Sequence, residues 1–393
     1  MNSIYIVEGV RTAFGNFGGS LKDTSTVQLG TSVARAALAR SEIPPEDIEE
    51  VIFGNVIQTD PQSLYLGRHV GLYAGLPQHV PGLTVNRLCG SGMESVIIAA
   101  SNIALGRTQT AIAGGVENMS QSPYIVQGAR WGNRLGNNEI VDVLHTGLND
   151  VYVNQPMGLT AENLAEDYSI TRQDQDEWSL SSHDRARKAR DRGIFQEEIV
   201  KIRVRTSNGR GDFSEDEFIR ELKDLEKISS LPSAYKQGGT VTAGNASGLN
   251  DGASALILAS EEYIQKSGKK PLAKILGWGQ TGCDPSRMGL GPVTAIPKAL
   301  GMAKLELKDM DLIEINEAFA AQVLAVKKIL KLDSERLNVN GGALSLGHPL
   351  GASGNRLILT LSRELRRRSS RYGVASLCIG GGQGIAMVIE SIR

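Results

Sequence analysis

The sequence is poor in the residues that mark disulfide-rich, zinc-binding or nucleic-acid-binding proteins. Its 393 residues include only three cysteines, Cys89, Cys283 and Cys378, which are odd in number and form no CxxC pair. This pattern argues against a disulfide framework or a zinc site and predicts reduced thiols. The formal charge is −1, from 42 Lys and Arg against 43 Asp and Glu, so no overall positive field attracts a nucleic acid.

Segments that would direct the chain to a membrane or an organelle are also lacking. The N-terminal residues contain no basic stretch followed by an apolar one, and no window reaches the ~18 apolar residues of a membrane span. The C-terminal Ser391-Ile392-Arg393 differs from the peroxisomal Ser-Lys-Leu signal. We therefore expect a cytoplasmic protein with no membrane partner.

Several common catalytic motifs are missing. A complete GxSxG elbow and a GxxxxGK[ST] loop do not occur, so a serine hydrolase and a P-loop NTPase have no support. The five histidines include no pair spaced four residues apart, and no metal site is expected. Only His348 has a distinctive setting; His69, His79, His145 and His183 are interpreted as structural or solvated.

What the sequence does contain is an alternation of strand and helix patterns. Its length predicts two or three units at ~100–200 residues each. Short apolar runs at 4–7, 51–53 and 111–116 alternate with helical patterns at 25–40 and 91–105. This alternation predicts an α/β sheet.

A second series of segments repeats the first in the same order. Residues 308–313 resemble 46–52, residues 337–340 resemble 83–86, and residues 379–381 resemble 113–115. Such repetition indicates two related halves. The intervening sequence is rich in turns, polar helical patterns and charges. We therefore divide the chain into an N-terminal half (1–119), an inserted domain (120–250) and a C-terminal half (251–393).

Cys89 lies where a predicted strand passes into a predicted helix, in the sequence Asn-Arg-Leu-Cys-Gly-Ser-Gly-Met-Glu at 86–94. Unpaired amide N–H groups and the positive end of a helix stabilise a thiolate. The flanking glycines let a substrate approach the backbone closely. Cys89 is thus a candidate nucleophile; the alternative is a buried structural cysteine.

Two further segments carry reactive side chains in glycine-rich settings. His348 lies among five glycines and a proline at 341–354, and such a costly loop is easiest to explain if it holds the imidazole in a fixed place. Cys378 precedes Gly380-Gly381-Gly382. The amides of such a run can bind an oxyanion, although a tight turn between strands is an equally good interpretation. Cys283 is interpreted as a packing residue.

Together these motifs resemble those of the thiolase family over nearly the whole chain. Residues 86–94 resemble its nucleophile segment, 316–319 its NEAF motif, 341–354 its GGxxxxGHPxGxSG block and 377–384 its CxGGGxG block. The resemblance implies duplicated α/β halves in a layered αβαβα core, with an inserted loop domain that binds coenzyme A. It also implies a homotetramer built as a dimer of dimers, or a homodimer.

The resemblance further implies a reaction, namely reversible Claisen condensation or thiolysis through an acyl-cysteine. Coenzyme A thioesters are then the substrates, with no bound cofactor or metal. Cys89 attacks the thioester and His348 takes its proton, while the N–H groups of Cys89 and Gly380 hold the oxyanion. Cys378 removes the α-proton of the second thioester. His348 and a water held by Asn316 stabilise the enolate.

Six other positions match substrate contacts of the family. These are Arg220 for the adenine nucleotide, Ser247 for the pantetheine arm, and Met157, Met288, Ala318 and Phe319 for the acyl and pantetheine end. For Met157 and Met288, ordinary core filling is the alternative.

The features that bear on acyl-chain length are mixed. Pro156 stands where many short-chain biosynthetic thiolases have histidine, and Tyr235 replaces a frequent phenylalanine. Residues 348–354 instead resemble acetyltransferases. We predict an acetyl-CoA C-acetyltransferase acting on acetoacetyl-CoA, with a longer-chain 3-ketoacyl-CoA thiolase as the alternative.

Two other classes of protein are disfavoured. A non-catalytic acyl-CoA or lipid carrier is disfavoured because the catalytic residues are retained, and a thiol redox module is disfavoured because no CxxC pair is present.

Overall fold

The computed structural model describes residues 3–206, 209–221 and 227–392. Helices and strands alternate as the sequence predicts. The helices of this part of the chain are α1 (Thr26–Ser41), α2 (Leu66–Ala74), α3 (Ser91–Ala104), α4 (Val143–Gly147), α5 (Met157–Asp167), α6 (Arg172–Asp191), α7 (Glu261–Ser267), α8 (Gly291–Ala303), α9 (Ala320–Leu330), α10 (Ala343–Leu346) and α11 (Leu350–Arg367).

The strands are short in the inserted region and longer on either side of it. They are β1 (Ile4–Thr12), β2 (Gly15–Asn16), β3 (Glu50–Gly54), β4 (Gly82–Val85), β5 (Thr110–Asn118), β6 (Tyr124–Val126), β7 (Ile140–Asp142), β8 (Asn149–Asp150), β9 (Gln155–Pro156), β10 (Ile199–Val200), β11 (Ile202–Thr206), β12 (Gly209–Phe213), β13 (Asn250–Ser260), β14 (Ala273–Gly282), β15 (Leu312–Ile315), β16 (Tyr372–Ile379) and β17 (Gln383–Ser391).

The long strands form a mixed sheet in the order β15-β16-β17-β14-β1-β13-β5-β3-β4, with β10 added at β1 and β2 at β13. Helices α3 and α11 pack against each other between the two halves of this sheet, in an apolar cluster that draws residues from both halves. A second cluster places α1 and α2 on the outer face of the first half, and a third places α8 and α9 on the outer face of the second. The layers therefore follow the order αβαβα.

The local sequence explains where these helices begin. Ser25 caps α1, because its hydroxyl accepts from the N–H of Gln28 while the Gln28 side chain accepts from the N–H of Ser25. Helix α3 has a mostly buried surface of small and apolar residues, as its sequence predicts for a central helix. Both helices lie within one residue of the predicted ranges.

The two halves share a local layout, although one of the three sequence matches is not structurally equivalent. A 3₁₀ turn precedes β3 and another precedes β15. Strand β3 pairs in parallel with β5, its last residue Gly54 opposite Gly115. Strand β15 pairs in parallel with β16, Ile315 opposite Ser376. The glycines of 113–115 thus lie inside β5, whereas Gly380 follows β16 in a turn. The two segments therefore match in composition and differ in register.

Between β5 and β13, the described part of the chain adds only the two-residue strand β10 to the large sheet. Three short hairpins, β6–β7, β8–β9 and β11–β12, lie in this interval together with α4, α5 and α6. The division into units at 119 and 250 stays a prediction. In residues 3–206, 209–221 and 227–392, we find no helix that has the length and apolar character to cross a membrane.

Candidate active site

The turn that carries Cys89 is held by side-chain hydrogen bonds on both sides. Strand β4 ends at Val85, and the Asn86 Oδ1 atom accepts from the Leu88 N–H at 2.9 Å. Leu88 has φ +46°, an unusual left-handed conformation for leucine. The Ser91 hydroxyl at the start of α3 donates to the Leu88 carbonyl at 2.7 Å. These bonds turn the chain sharply just before Cys89.

The Cys89 thiol is a neutral group in the resting protein. Burial raises its pKa to about 11, while the N–H groups of Gly380 and of Cys89 itself point at the sulfur and oppose the rise. The helix start therefore does not leave a standing thiolate there, contrary to what the sequence setting suggested, because desolvation outweighs the amide dipoles. Nucleophilic attack from this sulfur requires a base.

The glycine run after Cys378 serves as a turn and also presents an amide to Cys89. Strands β16 and β17 form a hairpin across it, and Gly381 and Gly382 adopt φ values of +79° and +76° that favour glycine. Gly380 lies between the side chains of Leu88 and Met157 and directs its N–H at the Cys89 sulfur. The run therefore forms the tight turn between strands, and oxyanion binding by the Gly380 amide stays a prediction.

Cys378 is buried close to Cys89. It is 1% exposed at the end of β16. Burial raises its pKa, and the negative charge of a Cys89 thiolate would raise it further. Two thiols of high pKa share one site, so that ionising one disfavours ionising the other.

His348 is oriented through both ring nitrogens. Ser353 Oγ lies 2.6 Å from Nδ1 and donates its single hydrogen to the Pro349 carbonyl at 2.9 Å. With the hydroxyl in this direction, we assign the hydrogen that joins Nδ1 to Ser353 to the Nδ1 atom. This assignment leaves Nε2 as an acceptor, which matches the Asn316 Nδ2 donor 3.2 Å away.

The imidazole of His348 is neutral at neutral pH. It is 5% exposed, and burial, helped by the positive charge of Arg356, lowers its pKa to about 3. A neutral ring with a free Nε2 lone pair can accept a proton from a thiol. The same burial makes the imidazolium short-lived, since the charged ring is poorly solvated.

Asn316 follows the end of β15 and is completely buried. Its amide nitrogen faces His348, whereas its Oδ1 atom has no hydrogen-bond partner in the described part of the chain. A buried amide oxygen without a partner is costly. The oxygen is thus suited to accept from a water or substrate group that enters the site.

Four of the predicted substrate residues lie around Cys378. Met157, Met288, Ala318 and Phe319 belong with it to one apolar cluster. The Met157 sulfur would lie 3.3 Å from a side chain placed on Gly380, so this methionine borders the space next to Cys89. The cluster offers an apolar wall to a short acyl chain.

The two predicted nucleotide and pantetheine contacts lead away from this cluster. The Ser247 N–H donates to the Ala318 carbonyl at 2.9 Å. Its neighbour Gly248 contacts the Phe218 ring. The Arg220 guanidinium lies over that ring at 5.1 Å. The structure therefore joins Arg220 and Ser247 to the apolar cluster around Cys378 through consecutive contacts.

Sequence reasoning missed two residues of this arrangement. Ser353, five residues after His348, is the orienting partner, and its place in the same glycine-rich block was the available signal. His183 on α6 is buried, which agrees with the structural interpretation of this histidine; the contact that was missed is the bond that its Nδ1 atom accepts from the Arg220 N–H at 3.2 Å. Burial lowers the pKa of His183 to about 3. No sequence pattern pointed to this contact.

Comparison with known proteins agrees with this geometry. The thiolase N-terminal domain family model matches residues 4–262, and the thiolase C-terminal domain model matches residues 269–391. The chain belongs to the thiolase family. It is an acyltransferase of that family.

Relatives with two kinds of name are almost equally similar to this thiolase. The mitochondrial 3-ketoacyl-CoA thiolase of Mus musculus is 49% identical over 392 residues, covering 100% of this chain and 99% of the relative. The acetyl-CoA acetyltransferase of Escherichia coli is 48% identical over 399 residues, covering all of both chains. The crystal structure of human mitochondrial 3-ketoacyl-CoA thiolase with CoA superposes with a TM-score of 0.96 at 47% identity, covering 99% and 98% of the two chains.

Proposed function

We propose that this thiolase condenses two molecules of acetyl-CoA to acetoacetyl-CoA and CoA, and catalyses the reverse thiolysis, through an acetyl group on Cys89. The observations that carry the proposal are that the Gly380 N–H points at the Cys89 sulfur, that Cys378 lies within electrostatic reach of Cys89, and that Cys89 packs in one apolar cluster with Leu350, two residues after the His348 that pairs with Asn316. A nucleophile, an oxyanion donor and two proton acceptors are the parts that this reaction needs. No resident cofactor or metal takes part in the proposal.

In the first half-reaction, Cys89 becomes acylated. The Cys89 thiol gives its proton to Nε2 of His348, and the sulfur attacks the thioester carbonyl. The N–H groups of Cys89 and Gly380 donate to the resulting oxyanion; losing one such donor typically costs about 3 kcal/mol. The C–S bond to CoA then breaks, and the departing CoA thiolate takes the proton from His348.

In the second half-reaction, Cys378 acts as the base. Cys378 first gives its proton to Nε2 of His348, and the resulting thiolate removes the α-proton of a second acetyl-CoA; the burial that raises the pKa of this thiol also strengthens the thiolate as a base. The protonated Nε2 of His348 and a water bound to Asn316 donate to the enolate oxygen. The carbon then attacks the acetyl group on Cys89, the Cys89 thiolate leaves, and His348 returns its proton to Cys89, while Cys378 keeps the proton taken from the substrate.

Coenzyme A is proposed to lie along the contacts that lead from Ala318 to Arg220. The Ser247 segment offers backbone groups to the pantetheine arm, and Arg220 over Phe218 presents a guanidinium to the nucleotide. Support comes from the similarity to a relative whose crystal structure contains CoA.

The longer-chain 3-ketoacyl-CoA thiolase stays as the second candidate. It is favoured by the equal similarity to relatives of that name and by Tyr235, whose ring packs on Gly158 and lies edge-on to Phe319 with centroids 6.2 Å apart. A tyrosine in this place changes the wall of the acyl site relative to the frequent phenylalanine.

A thiolysis series decides between the two candidates. We expect kcat/KM for acetoacetyl-CoA to equal or exceed that for 3-ketohexadecanoyl-CoA. A hundredfold preference for the longer substrate would refute the short-chain assignment and support the second candidate.

We also propose that the protein works in the cytoplasm as a homotetramer or homodimer. Support comes from apolar side chains that a single chain leaves open: Leu83 on the edge strand β4 is 46% exposed, and Trp131 between β6 and β7 is 86% exposed. Exposed apolar groups at a sheet edge and on a hairpin suit contacts with other copies. Light scattering after size-exclusion chromatography measures the mass, and a monomer would contradict the proposal.

A further inference from the structure

The mechanism leaves unused a carboxyl group that is buried at the centre of the molecule. Glu117 lies near the end of β5 and has no exposed surface. Its two oxygens accept four hydrogen bonds, from Asn55 Nδ2 at 3.1 Å, Val56 N at 3.1 Å, Ile57 N at 3.0 Å and Gly351 N at 2.9 Å. This carboxylate therefore joins a loop of the first half to the first turn of α11 in the second half.

On one side, the contacts of Glu117 lead to the nucleophile. The Val56 N–H donates to Glu117, and the Val56 carbonyl accepts from Asn86 Nδ2 at 3.1 Å. Asn86 in turn holds Leu88, the left-handed residue that immediately precedes Cys89. Displacing Val56 would therefore shift the turn that aims the Cys89 sulfur.

On the other side, the contacts lead to the base. Gly351 lies three residues after His348, and the Ser353 that orients the imidazole lies in the same helical turn. The backbone here is packed directly on β5, because a side chain on Gly115 would come within 1.9 Å of the Gly351 carbonyl oxygen. The Glu117 bond to the Gly351 N–H fixes where α11 begins on that surface.

The duplicated layout makes the position of Glu117 more informative. Gly115 on β5 and Ser376 on β16 are equivalent, because each lies opposite the last residue of the neighbouring parallel strand. Glu117 lies two residues after Gly115, and Cys378 lies two residues after Ser376. Similarly, Asn55 follows β3 as Asn316 follows β15. The first half thus has a carboxylate paired with an asparagine where the second half has the proposed base and its neighbouring amide.

We propose that Glu117 is a positioning residue of the thiolase reaction, whose buried carboxylate sets the separation between the Cys89 sulfur and the His348 imidazole. It acts through the Val56 and Gly351 amides. The inference rests on the proposed function, since it assumes that His348 takes the proton of Cys89.

The charge of Glu117 provides a readout that packing alone would not give. Burial raises the pKa of Glu117 to about 7, against the three backbone N–H donors of Ile57, Gly351 and Val56, and the nearby Asp251 carboxyl raises it further. The Glu117 charge is in turn one cause of the high pKa of Cys89. Removing that charge should therefore make the Cys89 thiol more acidic while it disturbs the proton transfer.

Two substitutions separate charge from reach. E117Q removes the charge and places an NH₂ group against two of the N–H donors. E117D keeps the charge but is one methylene shorter, so that it withdraws from their donors both oxygens, including the Oε2 atom that accepts from Val56 and Gly351 together. The matched control is E50Q, which neutralises another buried carboxyl at the far end of β3, bonded to Asn102 and Thr108.

Two rates are measured on each purified full-length variant. Acetylation of Cys89 by acetyl-CoA is followed in a single turnover by mass spectrometry, and alkylation of the Cys89 peptide by iodoacetamide is followed from pH 7 to 10. We expect E117Q and E117D to acetylate at least tenfold more slowly than the wild type. E117Q should alkylate at least threefold faster at pH 8, E117D should keep the wild-type alkylation profile, and E50Q should keep both rates within twofold.

The inference is overturned if either Glu117 variant acetylates within twofold of the wild type, or if E117Q alkylates no faster than the wild type. If E117Q does not fold, the acetylation rate of E117D alone tests the inference. Failure of the proposed function looks different: the wild type itself would then not be acetylated, whereas the alkylation profiles, which need no acyl-CoA, would still report the charge of Glu117.

Discussion

The hydrogen bond between His348 and Ser353 leads to a sharp prediction for the variant Ser353→Ala. The substitution removes the oxygen that lies 2.6 Å from Nδ1. The Nδ1–H donor is then buried without a partner, and the ring can move its hydrogen to Nε2. In that tautomer Nε2 faces the Asn316 Nδ2 donor and can no longer accept a proton from Cys89.

The size of the effect follows from the cost of the orphaned donor. A buried donor without a partner costs about 1–3 kcal/mol, which corresponds to a loss of about 5- to 150-fold in the productive tautomer. We therefore expect single-turnover acetylation of Cys89 to slow by one to two orders of magnitude. The KM for acetyl-CoA should change little, because Ser353 lies behind the ring.

Acetylation is measured by quenching the enzyme at intervals after mixing with acetyl-CoA and determining the mass of the protein by mass spectrometry. The matched control is Ser362→Ala, which removes a hydroxyl from the same helix that likewise donates to the carbonyl four residues earlier, Ile358, at 2.7 Å. The control should acetylate normally. If Ser353→Ala acetylates Cys89 within twofold of the wild type, the assigned tautomer and the base role of His348 are wrong.

Two further predictions concern Cys378 and His183. We expect Cys378→Gly to acetylate Cys89 within threefold of the wild type but to form acetoacetyl-CoA at least a thousandfold more slowly, because it lacks the base for the second half-reaction; normal condensation by this variant would contradict the assignment. His183 has a pKa of about 3 in the folded protein, below the ordinary value near 6.5, so the unfolded chain binds its proton first as the pH falls. Below pH 6.5 this difference removes up to about 1.4 kcal/mol of folding free energy per pH unit. His183→Gln should therefore lose less stability than the wild type between pH 6.5 and 4.5 in urea titrations, and an unchanged pH dependence would show that His183 is protonated when folded.

The sequence was a good guide wherever a signal is local. Helix α3 and the turn before it were predictable because buried small residues, glycines and a serine follow one another within a few positions. The duplicated halves were visible because each repeats a turn, a strand and a following asparagine. Residues 113–115 and 379–381 have similar composition but are not structurally equivalent. Similar composition does not fix the register of a strand, which depends on its pairing across the sheet.

The order of residues along the chain determined which chemical groups are available: two thiols, one imidazole among glycines, and an amide after a strand. Only the tertiary structure decided their state. Burial in the folded chain holds Cys89 and His348 neutral, and the Glu117 carboxylate accepts from a loop of the first half and from the first turn of α11. The physical reason is that charge and pKa depend on the water and dipoles within a few ångströms, and some of those neighbours, such as Gly380 beside Cys89 and Gly351 beside Glu117, come from segments more than two hundred residues away.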